Sequence, residues 1–263
     1  MGKVIAFANN KGGVAKTMSA FNVGILWAKK LGKKILFIDL DSQANLTELL
    51  SANDERYDKN NWECTIEDAF IGGPKITPLP ILPSMYENVD FVPSSLKLSN
   101  FDRDTAAATG REYLLQDLIK PVKKDYDYII IDCPPALGAI IFNAMVASDG
   151  IVLITTPDQP SLDGVHMMIN VYNEVISKDR LNPDLFFIGI LITRVENDNI
   201  NKAYISLFEK EFGAHLIRPY IKKNTKLNQS TSMHRDIYSH DPGGRGAKEY
   251  AEAAKEIILR IEQ

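Results

Sequence analysis

Short apolar runs alternate with helix-period segments along the whole chain. Val4–Ala8 is the first run, and Lys34–Asp39 is a second that ends on an acid. Tyr128–Asp132, Ile151–Thr155 and Phe186–Thr193 follow. Continuous runs rich in Ile and Val are what parallel strands buried on both faces require. Between them, Thr17–Lys30 reads as a helix carrying apolar Phe21, Val23, Ile25, Leu26 and Ala28. Gly246–Ile261 sets Tyr250, Ala254, Ile257, Ile258 and Ile261 on one helical face, as a helix docking on a core would. The alternation predicts βαβ units and an α/β fold, a doubly wound, mostly parallel sheet flanked by helices. The exception is about 51–100, where segments such as Gly72-Gly73-Pro74 and Pro78-Leu79-Pro80 predict loops and short elements inserted at the sheet edge. We therefore expect a single domain over 1–263.

The first strand runs directly into Asn10-Lys11-Gly12-Gly13-Val14-Ala15-Lys16-Thr17, and a helix follows. Strand, glycine loop, Lys-Thr and helix together make a phosphate cradle. Glycines let backbone N–H groups approach an anion, and the helix offers its positive end. Lys16 can reach the β- and γ-phosphates, and the Thr17 hydroxyl can hold Mg²⁺. Ala15 adds a methyl group, so its backbone is expected where an L-residue is comfortable.

Two strand-end acids supply complementary chemistry. Asp39-Leu40-Asp41-Ser42-Gln43 puts carboxylates at the end where open α/β sheets bind ligands, near the loop if that strand neighbours the first. Asp132, closing Tyr128–Asp132 before Cys133-Pro134-Pro135, fits an acid that holds Mg²⁺ directly or through water. Thr17, Asp39 and Asp132 are the candidate metal residues. Asp158, past the end of Ile151–Thr155, is a third strand-end acid. Thr193-Arg194 is a candidate contact on the base side.

Composition narrows the classes. The 263 residues carry a net charge of −4, so binding to nucleic acid would need a local patch. His215–Arg235 is such a stretch, with Arg218, Lys222, Lys223, Lys226 and Arg235 and no Asp or Glu. Read alone, it is equally a solvated surface. Two distant cysteines, Cys64 and Cys133, argue against a disulfide scaffold or a metal cluster and suit a reducing cytoplasm. No secretory pattern opens the chain, and no apolar run approaches the ~18 residues that span a bilayer.

The loop Lys11-Gly12-Gly13-x-x-Lys16-Thr17 resembles the deviant Walker A motif of the ParA/MinD family of P-loop ATPases, with Lys11 as its extra lysine. Asp39–Gln43 resembles the D-x-D-x-Q segment of the ParA branch, which implies a role in hydrolysis for Asp41. Tyr220–Leu227 looks like the family's I-P-R-N-x-x-L segment near the base, with Lys222 in place of the proline and Lys223 at the arginine linked to non-specific DNA binding. Asp241–Tyr250 resembles the D-P-x-S-x-G-A-x-x-Y ending of ParA/Soj proteins. The resemblance spans nearly the whole chain and suggests the small form, without an N-terminal helix-turn-helix.

That resemblance implies an ATP- and Mg²⁺-dependent partitioning ATPase. Its catalytic residues would be Lys11, Lys16 and Asp41. Nucleotide would be held by Lys11, Gly12, Gly13, Val14, Ala15, Lys16, Thr17 and Met18 on the phosphate side, and by Thr193, Arg194, Ile221, Lys222 and Asn224 on the base side. Lys11 and Asp158 would lie at the interface of an ATP-bound homodimer. Lys223, Lys226 and Arg218 would contact double-stranded DNA, and a ParB-like centromere-binding protein would stimulate hydrolysis. The expected setting is cytoplasmic and nucleoid-associated, with no stable membrane association. Three alternatives remain open: a MinD-like positioning ATPase on membrane, a metabolic ATP-dependent enzyme on the same fold, and a nucleotide-binding protein without turnover. Glu249, Glu252, Glu256 and Glu262 on the last helix oppose the membrane reading.

Overall fold

Alternate residues of each central strand feed two separate apolar layers. Val4, Ala6 and Ala8 enter one, while Ile5 and Phe7 enter the other. Leu36, Ile38, Ile129 and Ile131 join the first layer, and Ile35, Phe37, Tyr128 and Ile130 join the second. A sheet covered on both faces explains why these strands read as unbroken apolar runs.

The structure is a computed structural model describing residues 2–57, 62–73, 77–177 and 181–262. Its strands are β1 (Lys3–Ala8), β2 (Ile35–Asp39), β3 (Leu82–Pro83), β4 (Val89–Val92), β5 (Tyr128–Asp132), β6 (Gly150–Thr155), β7 (Phe186–Ile192) and β8 (Leu216–Ile217). They form one eight-stranded sheet in the order β3-β4-β2-β5-β1-β6-β7-β8. All neighbours are parallel except β3 and β4. The helices are α1 (Lys16–Leu31), α2 (Asn45–Ser51), α3 (Ile66–Gly72), α4 (Phe101–Asp104), α5 (Leu114–Ile119), α6 (Ala139–Ala147), α7 (Gln159–Ile176), α8 (Asn199–Phe212), α9 (Thr225–Ser232), α10 (Ile237–His240) and α11 (Arg245–Ile261). Residues of α1, α2 and α9–α11 cover one face, and residues of α3–α8 cover the other.

The doubly wound class agrees with the sequence reading, and three details depart from it. β2 does not neighbour β1, because β5 lies between them. The stretch 51–100 does carry short elements at the sheet edge, but it also extends the sheet: β4 pairs with β2 in parallel and β3 closes on it. Pro74 lies outside the described residues. Leu216–Ile217 adds an edge strand too short to read from sequence.

The last helix docks as its pattern predicts. Tyr250, Ala254 and Ile257 are fully buried, and the Trp27 indole N–H donates to the Ala254 carbonyl at 3.2 Å. α11 thus braces α1, whose first turn carries Lys16 and Thr17. α1 lies against the sheet through Gly24. A Cβ there would run into the Phe37 ring and stand 2.7 Å from Ile130 Cδ1.

Gly24→Val should therefore overpack this contact and destabilise the chain by about 1–3 kcal/mol. Denaturant unfolding checks it. A midpoint at or above that of the wild type would contradict the close approach of α1 to the sheet.

Candidate nucleotide-binding site

The loop between β1 and α1 is built to face an anion. Gly13 takes φ +78°, and Ala15 sits at φ 61°, ψ 32°, both in the left-handed region. The sequence reading of Ala15 is corrected here. The turn into α1 needs a left-handed residue, which an alanine supplies at a cost of about 1–2 kcal/mol. Three contacts hold the turn: Ser19 Oγ donates to the Ala15 carbonyl at 2.8 Å, Thr193 Oγ1 donates to the Val14 carbonyl at 2.8 Å, and Asn9 Nδ2 donates to the Ile154 carbonyl.

Lys16 and Thr17, on the first turn of α1, meet the end of β5. Thr17 Oγ1 donates to Asp132 Oδ2 at 2.5 Å. Asp132 is fully buried, and its Oδ1 has no hydrogen-bond partner. Burial drives the Asp132 carboxyl upward and nearby Asp41 adds to this, while Lys16 and the Thr17 hydroxyl pull it back. The net shift is up. An orphaned buried oxygen beside a threonine hydroxyl and a lysine fits a divalent cation that also touches phosphate. The residues present therefore suit Mg²⁺ at Thr17 and Asp132.

The structure redirects Asp39 away from that metal. Asp39 Oδ1 accepts from Asp41 N at 3.0 Å, and Oδ2 accepts from Thr47 N and Thr47 Oγ1 at 2.8 Å each. Its carboxylate is turned into the 40–47 loop, and it does not line the phosphate cleft. Burial and the adjacent Asp132 push its carboxyl up. Asp41, though buried, lines the cleft, and its Oδ1 accepts from Gln43 N at 3.0 Å.

Two adjoining clefts run over the loop. One, of about 350 Å³, is lined by Lys11–Met18 and Asp41, with Gln43, Asn45 and Glu48 along its rim. The other, of about 200 Å³, is lined by Thr193, Arg194, Ile221, Lys222 and Asn224. Ala15, Met18 and Arg194 line both, so phosphate-side and base-side candidates share one continuous groove. The base side is held by Val195 pairing with Lys222, and by Lys222 N donating to Glu249 Oε2 at 2.9 Å. Asn224 caps α9, accepting from Lys226 N at 2.9 Å.

The remaining candidates are distributed differently. Lys11 Nζ donates to Asp158 at 2.8 and 2.9 Å and to Ser161 Oγ at 3.0 Å, so the two interface candidates meet within one chain. Although burial pushes the Asp158 carboxyl up, Lys11, Thr156 and Ser161 together hold it below the usual carboxylate range. The basic stretch, free of acids in sequence, meets acids from other elements. Arg218 pairs with Glu209 at 2.8 Å, and Lys223 pairs with Glu196 at 2.7 Å. Lys223 also lines the base-side cleft, which separates it from Arg218 and Lys226. Sequence reading missed Glu48, Thr231 and His234 as cleft residues: Glu48 lies on α2, Thr231 on α9, and His234 in the turn after α9 at φ 49°. Pro135 could have been found, because it ends the quoted segment Asp132-Cys133-Pro134-Pro135.

Comparison with known proteins agrees with this architecture. A family model described as an AAA domain matches residues 2–187. The chain is 32% identical to the sporulation initiation inhibitor protein Soj of Bacillus subtilis (strain 168) over 259 residues, 98% of either protein. It is similar to the structure of a putative plasmid partition protein from Borrelia burgdorferi B31 bound to AMPPNP, at 25% identity and TM-score 0.82, covering 99% of this chain and 100% of that one. It shares its fold with cobyrinic acid a,c-diamide synthase from Mycobacterium smegmatis, at 22% identity and TM-score 0.83, covering 100% of this chain and 96% of that one.

Asp39 and Asp132 carry raised carboxyls, so the metal-free folded chain holds protons more tightly than the unfolded chain. That contribution is gained on acidification from about pH 7 toward pH 4 and lost as pH rises. Asp132→Asn should remove the part due to Asp132 and ease the part due to Asp39, whose raised carboxyl owes most to burial and less to Asp132. The variant in EDTA at pH 8 should melt a few degrees higher, a gain of about 1–2 kcal/mol, with a flatter pH dependence. Thermal melts from pH 5 to 8 check this, and an unchanged or lower midpoint at pH 8 would contradict it.

Proposed function

This chain belongs to the ParA/Soj family of P-loop ATPases, and on that premise we propose that it is a partitioning ATPase acting on DNA through nucleotide-gated dimerisation. The observation that carries the chemistry is the meeting of Lys16, Thr17, Asp132 and Asp41 over one glycine loop. We read residues 1–263 as one ATPase domain with the edge insertion at 51–100.

The loop amides and Lys16 hold the β- and γ-phosphates and neutralise charge as the terminal bond breaks. Thr17 and Asp132 would hold Mg²⁺, which when bound would supply positive charge against the phosphates. Asp41 lines the cleft beside the loop, where a carboxylate can orient the attacking water and accept its proton. Met18, Thr193, Arg194, Ile221, Lys222 and Asn224 enclose the base side.

Lys11 is the residue through which ATP would gate assembly. Its ammonium rests on Asp158 and Ser161 at the rim of the phosphate cleft, with its side chain 33% exposed. In a dimer it would leave Asp158 and reach the partner subunit's phosphates, making nucleotide part of the interface. Two subunits would then join their basic edges, Arg218, Lys223 and Lys226, into one surface for double-stranded DNA. Doubling the phosphate contacts raises affinity steeply. A ParB-like protein bound at a centromere-like site would stimulate hydrolysis and release. The setting that follows is cytoplasmic, on the nucleoid. The burial of the apolar face of α11 against α1 supports a reading without membrane attachment, and no described helix is long and apolar enough to cross a membrane.

Two experiments test this. Lys11→Ala should bind a non-hydrolysable ATP analogue with near wild-type affinity and remain monomeric. Light scattering that finds a stable nucleotide-bound dimer would remove the trans role. For DNA, Arg218→Ala with Lys226→Glu avoids the base-side cleft that Lys223 lines. The pair should lower the slope of log affinity against log salt by about two units per subunit for any duplex sequence, while nucleotide binding stays intact. Wild type should bind duplex with ATP far better than with ADP. Equal binding in both nucleotides, or an unchanged slope, would contradict the DNA role.

A further inference from the structure

The backbone N–H of Asp41 is tied to residues that do not line the cleft. Its backbone N–H donates to Asp39 Oδ1 at 3.0 Å. Asp39 Oδ2 is held in turn by Thr47, through the backbone N–H and the hydroxyl at 2.8 Å each. Thr47 Oγ1 also accepts from Ser94 N at 2.9 Å, just beyond the end of β4. Asp39, Thr47 and Ser94 are 1%, 2% and 0% exposed. One buried chain of hydrogen bonds therefore runs from just beyond the end of β4, across the end of β2, to the backbone of Asp41.

Local geometry explains why this chain exists. The residue before α2 is Ala44, at φ 54°, with no side chain to cap the helix. Asp39 supplies the missing acceptor from the strand end, taking the Thr47 N–H in the first turn of α2, where a carboxylate is favoured. The Thr47 hydroxyl then fixes which way that carboxylate faces. It donates to Asp39 with its one proton and accepts from Ser94 with a lone pair, so its orientation is determined from both ends.

We propose that Thr47 is a positioning residue for ATP hydrolysis, acting through Asp39 on the placement of Asp41. This rests on the reading of Asp41 as the group that orients water. Thr47 does not line the cleft, so it contributes nothing directly to nucleotide binding. Valine has nearly the same shape and no hydroxyl. In Thr47→Val the Ser94 N–H loses its acceptor and Asp39 Oδ2 keeps one donor of two. The Asp39 carboxylate is then free to turn, and the Asp41 backbone moves with it. A shift of about 1 Å at a reacting group is enough to cost on the order of 10²-fold in rate.

The test compares wild type, Thr47→Val, Thr47→Ser and Asp41→Ala for kcat, for the dissociation constant of a fluorescent ATP analogue, and for melting midpoint. Thr47→Val should lose about tenfold or more in kcat with analogue affinity within about twofold of wild type. Thr47→Ser, which restores the hydroxyl, should return kcat to within about twofold, whereas a role in filling space alone would be met by valine and not by serine. Wild-type kcat in Thr47→Val, a parallel loss of affinity and kcat, or failure of Thr47→Ser to rescue would overturn the positioning role and leave Asp41 standing. Wild-type turnover in Asp41→Ala would instead overturn the reading of Asp41, and the role of Thr47 with it.

Discussion

Parallel registration of the strands is the constraint on which the rest of the molecule depends. Asp39 on β2 and Phe7 on β1 both stand level with Asp132 on β5. Because the strands run the same way, every connection leaving their carboxyl ends opens on one edge of the sheet. β1 delivers the phosphate loop there, β2 delivers Asp41, β5 delivers Asp132, β6 delivers Asp158, and β7 delivers Thr193 and Arg194. Crevices at this edge are where open α/β sheets bind ligands. The apolar residues of the strands hold this convergence by filling two layers at once, so a slip of one residue would exchange the layers and part the carboxylates.

The loops at that edge keep strained backbones. Ala15, Ala44, Arg194 and His234 all have positive φ, and Ala15, Arg194 and His234 line the groove. Each costs about 1–2 kcal/mol relative to an ordinary conformation. The buried pair Asp39 and Asp132 adds electrostatic cost, relieved in part by Lys16 and by hydroxyls from Thr17 and Thr47. Strain and buried charge gathered around one groove in an otherwise well-packed sheet mark the place where stability has been exchanged for binding.

Much of this was legible in the chain. Strands buried on both faces announce themselves as unbroken Ile and Val runs, and the glycine loop has its meaning only between such a strand and a helix. Other features left no such trace. β4 is a four-residue strand inside a Pro- and Asn-rich stretch, recognisable only once β2 offers it an edge. Asp39 and Asp41 look equivalent in sequence, yet one turns into its own loop and the other faces the cleft. The deciding partner, Thr47, is eight residues further on from Asp39. The basic stretch reads as free charge because Glu196 and Glu209 reach it from other elements. Ala15 carries no sign of its left-handed backbone, which the turn into α1 imposes.

The most direct test of the central claim is a crystal structure with a non-hydrolysable ATP analogue and Mg²⁺. The triphosphate should lie over Lys11–Met18, with Mg²⁺ against Thr17 on the side of the unpartnered Asp132 oxygen. The base should lie among Thr193, Arg194 and Asn224, and Lys11 should have left Asp158. Nucleotide bound elsewhere, such as the cleft of about 630 Å³ beside Asp102 and Glu174, would contradict the account. So would a metal held by Asp39.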